Sequence, residues 1–456
     1  MAITFASANR MTRRLSQDLH VLELAKGGAQ TFIVKLAGLA LSFVLTIFIA
    51  RNLGTGSVGI YALSLTIAGV SCALGKLGLE TAVLRFTAEF SARDNYRSIR
   101  KMYLLSLKCL LPVGAVLSIA VFLLSPLLSK SLFHTGHLSL SLKVISLSIL
   151  PAILYSLNAE ALRGLRRIKE YSFLQSAACS LFSLIILWIF LSFSSHVLLP
   201  VFAYTISVFF VMALSFYLWL NAMRPQINGV IHDDFDLRGL LKVSFPMFIA
   251  SFSALIMGWA DTIILGLFRS EVDVGIYNVA FRVALLPGFL LIAVNSIAGP
   301  KFAEHHGKGD IKNAQKTAQQ STKLIFLSSL PVIVILLAFP ERVLSLFGSD
   351  FTAGKYVLIL VVVGQLVNCC CGSVALFLNM TGRHVLVRNV ISMATLLNIT
   401  LNLILIPRYG IHGAALATMT STIFWNVILM IYIHKVFDFW TISFPLPLAR
   451  SRGVNP

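Results

Sequence analysis

Charged residues are scarce in this chain of 456 residues, at 12% of the sequence, whereas soluble domains carry about a quarter. Hydrophobic residues make up 57%. This balance excludes an ordinary soluble globule. Because a bilayer core about 30 Å thick needs roughly 20 apolar residues per helix, the chain has room for about twelve spanning helices and little else.

Catalytic and metal-binding motifs are also missing. The sequence contains no HExxH, no GxxxxGK[ST] and no GxSxG, and its short hydrophilic segments leave no room for a sugar-handling domain. Its six cysteines lie in apolar stretches without CxxC spacing. His305, His306 and His412 have no other ligand type at metal spacing. We therefore predict no enzyme activity, no cofactor and no metal.

Acidic residues are fewer than basic ones, 18 against 37, which gives a net charge of +19. Nucleic acid is not the predicted partner, because the basic residues are spread over short loops between apolar runs. In that position they indicate membrane topology and attraction to anionic lipid headgroups. Membrane lipids are therefore the predicted surroundings of the chain.

Apolar runs separated by charged or Gly/Pro clusters predict twelve spans. They cover residues 27–50, 57–82, 102–126, 140–162, 171–193, 197–220, 243–267, 274–300, 323–340, 355–380, 386–406 and 411–434. The side that carries the N-terminus holds 26 Lys and Arg residues, and the other side holds 6. This excess predicts that both termini are cytoplasmic, as are the segments 85–101, 163–170 and 301–323.

An internal repeat relates the two halves, because the sequence VGIY occurs at 58–61 and again at 274–277. The predicted fold is all-α: a polytopic membrane protein of about 12 transmembrane helices in two six-helix lobes related by the repeat. The predicted division is a cytoplasmic N-terminal segment, an N-lobe, an interlobe linker, a C-lobe and a cytoplasmic tail. Their limits are 1–26, 27–221, 222–242, 243–436 and 437–456.

Charged side chains inside predicted spans are the candidate functional residues, because each costs about 2.5–3.5 kcal/mol at the centre of a spanning helix. Asp261 in span seven and Arg282 in span eight are predicted at similar depth and close enough to interact. They either neutralise each other in a salt bridge or change protonation or ligation during transport, which makes Asp261 the candidate for ion coupling. Asn278 lies one turn before Arg282 on the same face, and Pro287 with Gly288 marks a kink beyond it.

Three lysines, Lys35, Lys76 and Lys108, are predicted in the inner half of the bilayer. They either extend to the headgroups or form a cationic funnel that binds a phosphate-bearing substrate. Lys76 also has Glu80 four residues away as a neutralising partner. Lys35 is the deepest of the three, so Lys35→Ala is predicted to abolish transport if it faces a cavity. Lys143 is predicted to be an anchor near the outer end of span four.

Several motifs in order resemble the Wzx-type polysaccharide flippases of the multidrug/oligosaccharidyl-lipid/polysaccharide exporter superfamily. They are FIARNLG at 48–54 followed by GIY at 59–61, LGL at 77–79 with Arg85, DTIILG at 261–266 leading into VGIY, and IPRYGIHGAA at 406–415. The resemblance implies transport of an undecaprenyl-pyrophosphate-linked oligosaccharide from the inner to the outer leaflet of a bacterial cytoplasmic membrane. It also implies alternating access, coupling to H⁺ or Na⁺, a cationic central cavity and contact with polysaccharide assembly proteins.

Other functions stay open from the sequence alone. A multidrug antiporter of the same superfamily would share the fold, but a site for amphiphilic cations would favour acidic side chains over the five basic ones found in the spans. A lipid II flippase would be expected to have about fourteen spans. A membrane polymerase or ligase would need a folded outward loop.

Overall fold

The computed structural model describes residues 2–133, 135–223 and 258–442, together with Ser244, Phe248 and Ile256; for residues 2–30 it describes the backbone alone. All regular structure within these residues is helical. The chain divides into two compact units. The first contains residues up to Trp259 and the short segment 270–275, and the second contains 260–269 and residues from Ile276 onward.

The helices of the first unit are α1 (Ala2–Lys76), α2 (Leu79–Ser91), α3 (Tyr96–Leu127), α4 (Gly136–Gly164), α5 (Ile168–Phe173), α6 (Cys179–Leu191) and α7 (Leu199–Met223). They form a bundle in which α4 contacts the long helix α1 and also α2, α3 and α7. A central helix contacted from several sides must be apolar over most of its circumference. Accordingly, α4 is the most buried candidate span of this unit.

The remaining helices are α8 (Gly258–Phe268), α9 (Glu271–Ala284), α10 (Leu286–Gly307), α11 (Ile311–Ala338), α12 (Pro340–Ser345), α13 (Lys355–Cys371), α14 (Val374–Met380), α15 (His384–Tyr409) and α16 (Ile411–Phe437). In the second unit, α16 packs against α13 and α15, and α11 packs against α10 and α13. The predicted kink is found between α9 and α10, just before Pro287, which occupies the first turn of α10.

The predicted number of about twelve spans is confirmed. Among the described residues, ten helical stretches are long and apolar enough to cross a membrane. The first of them, Thr31–Lys76, contains a break at Gly54 (φ 78°) and corresponds to predicted spans one and two. The short apolar helix α8 is the second part of predicted span seven. Residues 224–243, which contain most of the predicted linker, lie outside the described residues, so the predicted lobe limits stay predictions.

Two spans are shorter than the sequence predicted, because backbone breaks end them early. Span two ends at Lys76 rather than at residue 82, since Leu77 and Gly78 both take positive φ angles of 50° and 71°. Span ten is divided at Gly372, which has a φ of 71°. Glycine adopts this conformation without the steric cost that a Cβ brings, but Leu77 does not, so packing must hold that residue in place.

The two copies of the VGIY motif touch each other at their glycines, and both glycines lie within the first unit. A Cβ on Gly59 would collide with the carbonyl of Glu271 and lie 3.0 Å from the Gly275 nitrogen. A Cβ on Gly275 would collide with the carbonyl of Thr55 and lie 3.0 Å from the Gly59 nitrogen. Thr55 and Glu271 themselves occupy equivalent positions, each four residues before its glycine. The contact is therefore reciprocal, and only glycine allows the helices to approach this closely.

The first residues of the predicted cytoplasmic tail are folded onto the second unit. Asp438 turns the chain with a φ of 55°, and Phe439 packs edge-on against Phe377 with ring centroids 5.6 Å apart. The Thr441 hydroxyl donates to the Cys371 carbonyl at 3.0 Å, beside the break in span ten. The tail therefore supplies a hydrogen bond to a carbonyl that the interrupted helix leaves without its usual partner.

Candidate functional site: a cavity with an ion pair and a buried carboxylate

A cavity of about 230 Å³ lies in the first unit. The side of α1 that faces it carries residues at helical spacing, so they form one stripe. These residues are Leu65, Ala68, Gly69, Cys72, Ala73 and Lys76. From α4 come Ser148, Ala152 and Tyr155, again one turn apart, and from α7 comes Tyr204. At this volume the cavity is smaller than most small-molecule binding sites, which measure about 300–1,000 Å³.

Charge in this cavity is concentrated in one ion pair. The Lys76 ammonium lies 2.9 Å from a carboxylate oxygen of Glu80, and both side chains are 26% exposed. The Ser156 hydroxyl donates to the same oxygen of Glu80 at 2.9 Å. The predicted neutralisation of Lys76 by Glu80 is therefore confirmed, but the two residues belong to different helices and face each other across the break at Leu77 and Gly78.

Half-buried aromatic rings make up much of the remaining wall. Tyr155, Tyr204, Phe248 and Trp259 all line the cavity. A Cβ on Gly69 would lie 2.9 Å from the Trp259 ring, so the absence of a side chain at Gly69 allows the indole to lie against α1. Aromatic faces with hydroxyl or indole N–H groups at their edges can contact the apolar faces of a ligand and hydrogen-bond to its polar groups.

The structure does not bring the three candidate lysines together. Lys35 and Lys108 are exposed, and neither lines the cavity; Lys35 lies between the exposed Ile33 and Leu36. Of the three lysines, Lys76 alone lines the cavity, so the structure does not support a funnel shared by all three. The loss of transport on Lys35→Ala stays a prediction. Lys143 lies 5.8 Å from the centre of the Phe122 ring, a contact that fits its predicted anchoring role.

In the second unit, Asp261 is only 3% exposed and accepts hydrogen bonds from three neutral side chains. Tyr277 donates to one carboxylate oxygen at 2.7 Å, and Asn402 donates to the other at 2.5 Å. Thr418 also donates to the oxygen that Tyr277 contacts. A buried carboxylate is stable only when its oxygens are paired or protonated, and hydrogen bonds from neutral groups supply part of that pairing.

A second layer of polar groups extends this cluster along α15 and α16. Asn402 also donates to Asn398 at 3.1 Å, and Asn398 donates to Ser421 at 3.4 Å. The carbonyl oxygen of the Asn402 side chain is buried and has no hydrogen-bond partner among the residues that the structure describes. Oxygen atoms grouped around a carboxylate within a membrane provide ligands for a proton or a small cation.

Asn278 and Arg282 lie close in sequence to this cluster. The Thr262 hydroxyl donates to the side-chain oxygen of Asn278 at 3.4 Å, and Arg282 is half-buried. Because both carboxylate oxygens of Asp261 accept bonds from Tyr277, Asn402 and Thr418, the carboxylate is satisfied without Arg282. The predicted interaction between Asp261 and Arg282 stays a prediction.

The sequence did not predict several residues of the cavity or of the cluster around Asp261. Tyr155, Tyr204 and Trp259 resemble any other aromatic residue in an apolar span, so the sequence carried no signal for them. Asn398 and Asn402 did carry one, since two amides four residues apart in a spanning helix indicate a buried polar contact. Tyr277 was recognised only as part of the repeated motif.

Solved structures of low sequence identity identify the fold. The lipid II flippase MurJ in an inward closed conformation matches with a TM-score of 0.72 and 17% identity over 88% of this chain and 87% of that one. An inward-facing multidrug resistance MATE family transporter of the MOP superfamily matches with a TM-score of 0.65 and 16% identity over 91% and 94%. The chain therefore shares the all-helical fold of these two proteins.

Sequence comparisons identify the family to which the chain belongs. A family model described as polysaccharide biosynthesis protein matches residues 24–306, and the MatE model matches 246–404. The chain belongs to the polysaccharide biosynthesis protein family, and the predicted resemblance to flippases is confirmed. The probable low-salt glycan biosynthesis flippase Agl15 of Haloferax volcanii is 26% identical over 93% of this chain and 85% of its own length.

Proposed function

We propose that this chain moves a lipid-linked oligosaccharide from the inner to the outer leaflet by alternating access, for the synthesis of a surface polysaccharide. Its carrier is undecaprenyl pyrophosphate in a bacterial cytoplasmic membrane. The family match supports glycan biosynthesis as the process, and the name of the Haloferax relative supports flipping as the activity. That relative is archaeal, so the bacterial carrier and membrane rest on the sequence resemblance.

The observation that carries this proposal is the combination of one cation and several aromatic rings in the cavity of the first unit. Lys76 supplies a positive charge for the pyrophosphate, because an ammonium is a mobile point charge that suits phosphate oxygens. Tyr155, Tyr204 and Trp259 supply surfaces for sugar rings. The substrate would thus be held by its charged end and its nearest sugars.

Coupling to a cation gradient is proposed through Asp261. Its carboxylate and the hydroxyl oxygens of Tyr277 and Thr418 lie together, and the Asn402 amide donates to the other carboxylate oxygen. Binding of H⁺ or Na⁺ there would neutralise a buried negative charge, so the two states of the site would differ in hydrogen bonding and in packing. A multidrug antiporter is the alternative function, supported by the match of the MatE model to residues 246–404.

Complementation separates these two functions. In a strain whose own lipid-linked oligosaccharide flippase is deleted, expression of this chain is expected to restore surface glycan and remove the accumulated inner-leaflet intermediate. Resistance to amphiphilic cations should not increase in the same strain. Higher resistance without restored glycan would contradict the proposal and favour the antiporter. Co-purification with polysaccharide assembly proteins tests the proposed contact with them.

Both termini are proposed to be cytoplasmic. In a background without cysteine, Lys308→Cys should react with an impermeant thiol reagent only after cells are opened. Arg342→Cys should react in intact cells; both positions are exposed, so accessibility does not limit the reaction. Labelling of position 308 in intact cells would contradict the proposed orientation.

A further inference from the structure

The break between α1 and α2 fixes the position of the ion pair at the cavity wall. Lys76 is the last residue of α1, and Glu80 is the second residue of α2. A Cβ on Gly78 would collide with the Ser244 carbonyl and lie 2.8 Å from the Phe248 nitrogen. Because neighbouring backbone fills the space where a side chain would lie, packing holds the break and places Lys76 and Glu80 side by side at the cavity wall.

Glu80 has a second support that does not depend on Lys76. Ser156 is buried on α4 and donates to the same carboxylate oxygen that contacts the lysine. If the ammonium moved to another anion, Glu80 would keep this hydrogen bond and its partial exposure to the cavity. The carboxylate can therefore stay in place while its cationic partner is exchanged, and this avoids the high cost of an unpaired buried charge.

We propose that Glu80 is a built-in competitor for the phosphate of the substrate. In the empty cavity, Glu80 is paired with Lys76. A diphosphate has more charge and more acceptor oxygens than a carboxylate, so it displaces Glu80 from Lys76. Glu80 pairs with Lys76 again as the substrate leaves. Glu80 would therefore set a threshold of anionic charge, favouring a diphosphate-linked lipid over a monophosphate-linked one. This inference rests on the proposed function and adds a residue that determines specificity and release.

The test uses the full-length protein in proteoliposomes, with undecaprenyl diphosphate and undecaprenyl monophosphate as probes. Glu80→Gln removes the competing charge and keeps the shape and a hydrogen-bonding group for Ser156. The half-saturation concentration for the diphosphate is expected to fall by about twofold to fivefold, the factor set by a partly exposed ion pair. The maximal rate should fall as well because release is slowed, and the preference for diphosphate over monophosphate should shrink.

Two further variants keep the test decisive if Glu80→Gln is unstable. Glu80→Asp retains the charge and is expected to retain the preference for diphosphate. Ser156→Ala weakens the support of Glu80 and should shift the half-saturation concentration in the direction of Glu80→Gln by a smaller factor. An unchanged or raised half-saturation concentration in Glu80→Gln, in protein with the thermal stability of the unmodified chain, would overturn the role of Glu80. Failure of the unmodified chain to bind or move either probe would overturn the proposed function itself.

Discussion

Lys76→Ala is expected to reduce glycan export by about a hundredfold or more while the protein remains in the membrane at normal abundance. The substitution removes the cation from the cavity and leaves Glu80 as an unpaired negative charge at the place where a phosphate must bind. Removing one partner of a hydrogen-bonded charge pair typically costs about 2–5 kcal/mol, or roughly thirtyfold to several thousandfold, and a hundredfold lies toward the lower end because this pair is partly exposed. Export is measured as surface glycan, and abundance by immunoblot of membranes.

A second substitution separates charge from structure. Lys76→Ala combined with Glu80→Gln should recover part of the export that Lys76→Ala loses, because the repelling carboxylate is gone. Lys76→Arg should retain a measurable rate, since the positive charge is kept. Lys143→Ala is the matched control, as this half-buried lysine contacts Phe122 and does not line the cavity. Normal export by Lys76→Ala would show that the substrate's phosphate binds elsewhere.

Asp261→Asn is expected to lower export at least about tenfold and to make the remaining export independent of the H⁺ and Na⁺ gradients. The amide has nearly the shape of the carboxylate but cannot bind a proton or a cation through a negative charge. It also turns an NH₂ group toward donors that now contact an oxygen, which costs about 1–3 kcal/mol per unsatisfied group. Export is measured in vesicles with imposed gradients of each ion.

The controls for this prediction come from the same unit. Asp350→Asn removes a carboxylate from an exposed position and should leave the ion dependence unchanged. Thr418→Val removes one donor from Asp261 and keeps the charge, so it should weaken coupling less than Asp261→Asn. Residual export by Asp261→Asn that still follows an ion gradient would place coupling at another residue.

The number of spans and the repeat were predictable because both depend on periodic apolar runs and on local motifs. The pairing of Lys76 with Glu80 was predicted from the four-residue spacing of a continuous helix, and the pair does form, but across the break at Leu77 and Gly78. The cavity was not, because its wall combines residues of α1, α4 and α7 whose meeting depends on tertiary packing. The break at Leu77 was missed for a related reason: a leucine at φ 50° contradicts local preference and is imposed by its surroundings.

The two halves of the repeat have diverged where the candidate sites lie. When the two VGIY segments are aligned, the first-half equivalent of Asp261 is Leu45, and the second-half equivalent of Lys76 is Ile292. The tyrosines of the two VGIY segments also have different contacts. Tyr61 packs edge-on against Tyr204, whereas Tyr277 donates a hydrogen bond to Asp261. The proposed anion-binding residue Lys76 and the proposed cation-binding residue Asp261 thus belong to different units.

The reciprocal contact of Gly59 and Gly275 also explains why both halves of the repeat have a glycine at this position. Two copies of a repeat can change independently of each other. At these two positions a side chain in either copy would collide with the backbone of the other, so neither glycine can change alone. The glycine shared by the two VGIY segments is therefore explained by a mutual steric constraint, and its presence in both gives no measure of when the halves diverged.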